Sequence, residues 1–122
     1  MTKKILIIDG HPVYIHKLEG FLEGLTYGDI TLAKTGKEGL EKLLSIGPDL
    51  VIMSVVLPDM DAYEVCRMIK EKRAASRIIV QTGLFVPEND IQRFKRQGAD
   101  IILDRKEKNL KPLEEAIKTL IA

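Results

Sequence analysis

Polar residues that could do chemistry follow four apolar runs of this chain, at the point where each run ends. In chain order, the residues at these points are Asp9, Gly10, His11, Ser54, Thr82, Asp104 and Arg105, all polar except Gly10. If the runs are parallel strands, their carboxyl ends meet at one edge of a sheet, where ligands of such sheets bind. We therefore expect these residues to gather at one site, with Asp9 as a carboxylate and Ser54 as a candidate nucleophile.

The residue types at this edge do not predict an enzyme. Magnesium prefers several hard oxygen ligands, usually with more than one carboxylate, and Asp9 is the only acid expected at the centre. Asp59 and Asp104 are expected nearer the rim. Ser54 has no evident general base, because His11 follows a different run. The Gly-x-Ser-x-Gly pattern of a nucleophile elbow is also absent.

The composition predicts one globular domain over residues 1–122. Apolar residues make up 45% of the chain and charged residues 30%, which is typical of folded domains. The formal net charge of +1 gives no bulk attraction to nucleic acid or to an anionic membrane. No apolar run approaches the roughly 20 residues of a membrane span, and no signal-peptide pattern follows Met1. We expect a cytoplasmic protein without membrane insertion or direct binding of nucleic acid.

Five apolar runs alternate with five patterns of helical periodicity. The predicted strands cover residues 4–8, 30–33, 50–53, 78–80 and 101–103. The central run, 50–53, contains no polar residue, as in a strand that is buried on both faces of a parallel sheet. This alternation predicts an α/β fold with right-handed crossovers and helices on both faces of the sheet.

Short local signals predict where the helices begin and what they bury. Pro12 suits the first turn of the first helix, and Thr35 with Glu38 forms the pattern of a capping box. The helix after Thr35 is predicted to turn three residues inward: Leu40, Leu43 and Leu44. The single cysteine, Cys66, lies on the third predicted helix, where a packed thiol is a simpler interpretation than a reactive one.

Several short stretches of the chain follow one known pattern. They are residues 3–9, 35–40, 48–53 with 57–61, 79–83 and 98–100. Together they resemble the receiver domains of two-component response regulators, over essentially all 122 residues. The resemblance implies a flavodoxin-like, doubly wound sheet of five strands in the order 2-1-3-4-5 with five helices. It also implies a role in phosphorelay signal transduction and not in enzymatic catalysis.

The chain departs from that family at the positions that carry its chemistry. Receiver domains typically have an acid pair after the first strand, a phospho-accepting aspartate after the third and a lysine after the fifth. By this resemblance the second acid falls on Gly10, the phosphoacceptor on Ser54 and the lysine on Arg105, while Asp9 and Thr82 are retained. We expect a degenerate pocket with weak or absent magnesium binding. Arg105 is predicted either to bridge toward Asp9 or to remain solvated.

The predicted signalling face also differs from that of the family. The aromatic residue usual in the fifth strand falls on Ile102, so no ring is present there to reposition, and we expect the fold to stay in one state. Three consecutive apolar residues, 84–86, follow the fourth strand, and we expect at least two of them to be buried. Phe85 and Ile102 are assigned to this face. The basic residues at 93–96 are expected on a solvated or protein-contact surface.

The resulting hypothesis is a receiver-like interaction module that does not depend on phosphorylation. Its surface would comprise the last two helices, the fifth strand and the loop around Phe85, facing a histidine kinase, an output domain or another regulator. A homodimer through the last two helices and the fifth strand is compatible with it. One alternative is an active receiver that uses Ser54 or Asp59 as acceptor. Another is a cobalamin-like ligand binder, suggested by Asp9-x-His11, although Tyr14 replaces the glycine that such a motif needs.

Overall fold

Five parallel strands form one sheet in the order β2-β1-β3-β4-β5, as predicted. The computed structural model describes residues 2–83, 85–104 and 109–122. The strands are β1 (Lys4–Ile8), β2 (Asp29–Ala33), β3 (Leu50–Ser54), β4 (Arg77–Thr82) and β5 (Ile101–Asp104). The helices are α1 (Pro12–Gly24), α2 (Gly36–Ile46), α3 (Ala62–Lys72), α4 (Glu88–Arg96) and α5 (Lys111–Ile121). Within the described ranges, none of the helices combines the length and apolar character needed to cross a membrane.

The central strand β3 is buried at every residue, because it lies between β1 and β4 and is covered on both faces. Val51 and Met53 belong to an apolar cluster under α2, α3 and α4. Leu50 and Ile52 belong to a second cluster under α1 and α5. The unbroken apolar run in the sequence therefore reflects two buried faces, as expected for a parallel sheet.

The predicted helix caps are made, with one change of partner. Thr35 Oγ1 accepts the N–H of Glu38 at 3.0 Å, as in a capping box. The carboxylate of Glu38, however, accepts from the N–H of Lys34 at 3.3 Å and not from Thr35. Asp61 accepts the N–H of Tyr63 at 2.8 Å and so caps α3. These bonds satisfy N–H groups that have no partner inside the helix.

Leu44 was predicted to face inward from α2, and this prediction is wrong, because its side chain is 64% exposed. The buried residues of α2 are Gly36, Gly39, Leu40 and Leu43. A side chain at Gly39 would collide with Ile8 Cδ1, so α2 approaches β1 closely at this glycine. The four buried residues have the spacing i, i+3, i+4, i+7, and Leu44 falls outside that stripe.

Cys66 is a packed core residue, as predicted. It is fully buried on α3, and its Sγ lies 3.6 Å from Sδ of Met53. Burial raises the pKa of the Cys66 thiol to about 12. The thiolate, which is the reactive form, is therefore scarce at neutral pH.

Candidate functional site at the carboxyl ends of the strands

A cleft of about 300 Å³ opens at the carboxyl ends of β1 and β3. The described residues that line it are Asp9, Gly10, His11, Ser54, Val56 and Pro58. This is the position expected for a site in a sheet of order 2-1-3-4-5, where the direction of strand addition reverses. Four of the residues singled out in the sequence are thus brought together: Asp9, Gly10, His11 and Ser54.

Asp9 is buried at the floor of the cleft, with only 3% of its surface exposed. Its Oδ1 accepts the N–H of His11 at 2.9 Å. Its own N–H donates to the carbonyl oxygen of Ala33 at 3.0 Å, which ties the end of β1 to β2. The carboxylate is therefore held in place by the backbone of its own loop.

Ser54 is also buried, and its hydroxyl closes the turn after β3. Ser54 Oγ accepts the N–H of Val56 at 3.1 Å. The N–H of Val55, which lies between Ser54 and Val56 in the chain, donates to the carbonyl oxygen of Gln81 at 2.9 Å. This is a local side-chain-to-backbone bond of the kind that serines commonly make in turns.

His11 does not serve as a general base for Ser54 in this arrangement. Its Nδ1 accepts the N–H of Tyr14 at 3.1 Å, which makes His11 the N-cap of α1. A neutral imidazole that accepts at Nδ1 carries its proton on Nε2. Neither nitrogen is then available to remove a proton from a hydroxyl while the cap is formed.

Gly10 lies where there is little room for a larger side chain. A Cβ atom at this position would lie 3.2 Å from the carbonyl oxygen of Lys34 and 3.3 Å from Cδ of Pro58. Both distances are shorter than ordinary van der Waals contact, so these neighbours would have to shift by a few tenths of an ångström. The cleft is thus closely packed at Gly10, the position where receiver domains typically have a second acid.

The donor set around the cleft does not fit a bound divalent cation. Asp9 is the only carboxylate among the described residues that line it. The described part of the chain contains no group of three or more histidine, cysteine, aspartate or glutamate residues that could hold a metal ion. Magnesium sites in proteins rely on oxygen ligands with near-octahedral geometry and usually more than one acid.

Asp59 is committed to a structural contact outside the cleft. Its two carboxylate oxygens accept the N–H groups of Gly36 at 2.8 Å and Lys37 at 3.0 Å. These bonds lower the pKa of the Asp59 carboxyl below its ordinary value of 3.8. Asp59 therefore caps α2 from the loop after β3, and this contact disfavours it as an alternative phosphoryl acceptor.

A buried polar bridge that the sequence did not reveal crosses the protein beside the cleft. Gln81 on β4 is only 3% exposed and pairs in register with Ser54. Its Oε1 accepts the hydroxyl of Tyr14, on α1, at 3.1 Å. A glutamine at the end of an apolar strand was a visible signal, but its partner is 67 residues away in the sequence. Tyr14 thus occupies the place where a cobalamin-like motif would need glycine.

The remaining predicted site residues lie around the cleft or outside the described part of the chain. Thr82 is 3% exposed at the end of β4, opposite Asp104 in register, and is not among the described residues that line the cleft. Ile102 is half-buried on β5 and packs against the cluster under α2, α3 and α4. Arg105 lies outside the described residues, so its predicted bridge to Asp9 stays a prediction.

One of the three apolar residues in the loop after β4 is exposed to solvent. Phe85 is 79% exposed, so the expected burial of at least two of residues 84–86 would have to involve Leu84 and Val86, and it stays a prediction. Val86 is half-buried, and Leu84 lies outside the described residues. Val13, at the start of α1, and Val56, after β3, are also exposed, at 72% and 59%. Three exposed large apolar side chains therefore lie at the same edge of the sheet as the cleft.

The fold and the position of this cleft are those of a receiver-type signalling domain. The sequence pattern of the response regulator receiver domain matches residues 5–118, and the chain belongs to that family. Receiver domains are signalling modules and not conventional enzymes.

Two curated proteins of Bacillus subtilis (strain 168) illustrate the relationship. The chain is 34% identical over 83 residues to the alkaline phosphatase synthesis transcriptional regulatory protein PhoP, covering 68% of this chain and 34% of PhoP. It is 34% identical over 100 residues to the transcriptional regulatory protein ResD, covering 82% of this chain and 41% of ResD. The chain therefore spans less than half the length of either relative.

Solved structures share the whole fold. A two-component response regulator from Clostridium difficile superposes with a TM-score of 0.90 at 30% identity, covering 98% of this chain and 96% of the other. The response regulator TrrA from Thermotoga maritima superposes with a TM-score of 0.88 at 29% identity, covering 98% of this chain and all of the other. The likeness thus extends over the complete sheet and its helices.

Proposed function

We propose that this chain is an atypical receiver domain that signals as a protein–protein interaction module without accepting a phosphoryl group. The observation that carries the proposal is how the cleft is built. Asp9 is bonded to the N–H of His11, Ser54 is bonded to the N–H of Val56, and Gly10 is closely packed against Pro58. The polar groups at the centre are thus engaged in holding their own loops.

The chemistry of phosphoryl transfer supports the same proposal. Transfer requires that the charge on the phosphoryl oxygens be neutralised, usually by a metal ion. Asp9 alone is a poor magnesium site, because it is the one carboxylate among the described residues that line the cleft. A serine hydroxyl is neutral at pH 7 and is activated by a neighbouring base. The nearest histidine in the cleft, His11, uses its Nδ1 as a helix cap.

The partner we propose is another signalling protein: a histidine kinase, an output domain or another regulator. PhoP and ResD are named as transcriptional regulatory proteins and are more than twice as long as their matching segments. The proposed surface comprises α4, β5 and α5, together with Phe85. β5 is the last strand in the sheet order, and its residues Ile101, Ile102 and Leu103 are half-buried. The same surface is the one we propose for a homodimer.

Intact-mass analysis after incubation with acetyl phosphate and magnesium tests the proposal directly. We expect no added phosphoryl mass on the wild-type chain. Phosphorylation of the wild-type chain would refute the proposal, and the Ser54→Ala variant would show whether Ser54 was the acceptor. A receiver domain that has the usual aspartates serves as the positive control for the reagent.

Restoring the acids gives a matched gain-of-function experiment. The double variant Gly10→Asp, Ser54→Asp is compared with the wild-type chain by calorimetric titration with magnesium. We expect magnesium binding only in the double variant, because it adds two carboxylates beside Asp9. Equal binding by both proteins would show that the native cleft already holds the metal, against the proposal.

A further inference from the structure

Strand β2 lies at one end of the strand order, and its outer side is the side that faces away from β1. On the inner side, β2 pairs with β1 along its full length. The carbonyl oxygen of Ala33 faces β1, because it accepts the N–H of Asp9 at 3.0 Å. Backbone groups of successive strand residues point to alternate sides, so those of Ile30 and Leu32 point outward. These are the groups to which a further strand could bond.

Two side chains of helix α2, Glu38 and Lys42, bond to this outer side. Nζ of Lys42 donates to the carbonyl oxygen of Leu32 at 2.7 Å and to Oε1 of Glu38 at 2.8 Å. The other oxygen of Glu38, Oε2, accepts the N–H of Lys34 at 3.3 Å. Leu32 and Lys34 are consecutive outward positions of the chain. The ion pair therefore supplies a donor and an acceptor in the place where a sixth strand would supply them.

The value of this ion pair lies in its position and not in its strength. The side chains of Lys42 and Glu38 are 37% and 38% exposed, and ion pairs this accessible to water add little to stability. The hydrogen bonds from Lys42 and from the N–H of Lys34 nevertheless lower the pKa of the Glu38 carboxyl below its ordinary value of 4.5. Glu38 is therefore ionised at neutral pH, and both arms of the pair stay on the strand.

We infer that the Glu38–Lys42 pair prevents a second copy of this chain from adding its own β2 to the sheet. An open strand edge is a template for pairing with another chain, and proteins commonly block such edges with lysine. The homodimer proposed above uses β5, which lies at the opposite end of the strand order. The pair thus directs self-association of the chain away from β2.

A second copy fits this side of β2 because the strand is complementary to itself. Two β2 strands related by a two-fold axis run antiparallel, which brings Asp29 of each copy near Lys34 of the other. Ile30 and Thr31 are β-branched residues that favour strands. Pairing centred on Leu32 would use the carbonyl oxygen of Leu32 in both copies, and that oxygen is the one bonded to Lys42.

Removing the donor with Lys42→Ala tests the inference. Alanine is the best helix former, so α2 is retained while the Leu32 carbonyl oxygen is uncovered. Lys37→Ala is the matched control, since Lys37 is an exposed lysine of the same helix and its loss changes the net charge equally. We expect analytical ultracentrifugation to show self-association of Lys42→Ala about tenfold tighter than that of the control, because one carbonyl acceptor is gained in each copy.

Hydrogen exchange followed by NMR locates the contact. In Lys42→Ala, the outward N–H of Leu32 should exchange about tenfold more slowly at high protein concentration than at low concentration. In Lys37→Ala its exchange rate should not depend on concentration. A homodimer formed through β5 would leave the Leu32 N–H unaffected in every variant, so the two associations are distinguishable.

Two results would overturn the inference. The first is that Lys42→Ala self-associates no more tightly than Lys37→Ala. The second is tighter self-association with unchanged exchange at Leu32, because the contact would then lie elsewhere on the surface. If Lys42→Ala does not fold by circular dichroism, Lys42→Met takes its place, since methionine keeps an unbranched apolar stem without the ammonium group. The same two results then decide the outcome.

Discussion

The sheet has two ends, the amino edge where its parallel strands begin and the carboxyl edge where they finish, and carboxylates have different roles at the two. At the amino edge, the carboxylates of Asp49 and Asp100 hold neighbouring strands together. At the carboxyl edge, among the residues described, one buried carboxylate lies beside a serine, a glycine and several exposed apolar side chains. Charged groups thus hold the amino edge together, while the described lining of the cleft at the carboxyl edge has one carboxylate, that of Asp9.

Asp49 connects three strands at the amino edge. Its Oδ2 accepts the N–H of Lys4 at 2.8 Å, and its own N–H donates to the Lys4 carbonyl oxygen at 2.8 Å. Its carbonyl oxygen accepts the N–H of Arg77 at 3.0 Å. One residue before β3 thus fixes the starts of β1 and β4.

Asp100 has the same role one strand further along. Its Oδ2 accepts the N–H of Ile78 at 2.8 Å, and its own N–H donates to the Ile78 carbonyl oxygen at 2.9 Å. Its carboxylate also lies 3.7 Å from Nζ of Lys70 and 3.6 Å from Nε of Arg77. At this edge, charge pairs add to backbone bonds.

The largest expected effect of a substitution in this comparison is that of Asp100→Ala. Removing the acceptor of the Ile78 N–H, together with the partner of two cations, should lower the free energy of unfolding by about 2 kcal/mol. Denaturant unfolding measures the change. Asp100→Asn keeps an oxygen for the N–H and should lose less than half as much. Equal losses would show that charge, and not the backbone bond, dominates at this edge.

At the carboxyl edge, Tyr14→Phe should have a smaller effect of about 1 kcal/mol. It leaves Oε1 of the buried Gln81 without its partner in α1. Tyr27→Phe is the matched control, since Tyr27 is half-buried near the amino edge and should change stability by less than about 0.5 kcal/mol. If both variants unfold at the same denaturant concentration as the wild type, the hydrogen bond between Tyr14 and Gln81 does not stabilise the carboxyl edge.

The smallest expected effect is a change in the pH dependence of stability through Asp59. Its pKa is lowered in the folded protein by the N–H groups of Lys37 and Gly36. The stabilisation is therefore present above the ordinary value of 3.8 and is lost as the pH falls through the lower folded value. Asp59→Asn should flatten the decrease in unfolding free energy between about pH 5 and pH 3. Parallel curves for the two proteins would contradict this assignment.

The order of the elements could be predicted from the sequence, because each apolar period is a local property. The cleft residues Asp9, Gly10 and Ser54 were predicted for a related reason, since a parallel sheet brings the ends of its strands together. The contacts between distant side chains could not be predicted. Nothing near Asp59 indicates that it caps α2, and nothing near Tyr14 indicates Gln81. Leu44 was misplaced because the buried stripe of α2 includes Gly36 and Gly39, which a search for large apolar residues does not count.

The fully buried thiol of Cys66 can report how often the core of the protein opens to solvent. With a pKa of about 12 and no exposed surface, the thiol is protected from alkylating reagents and from mild oxidants as long as α3 stays packed on the sheet. Labelling at this single site then proceeds only as fast as the core opens. The rate of iodoacetamide incorporation would thus report, without any added probe, how often the centre of this domain is exposed to solvent.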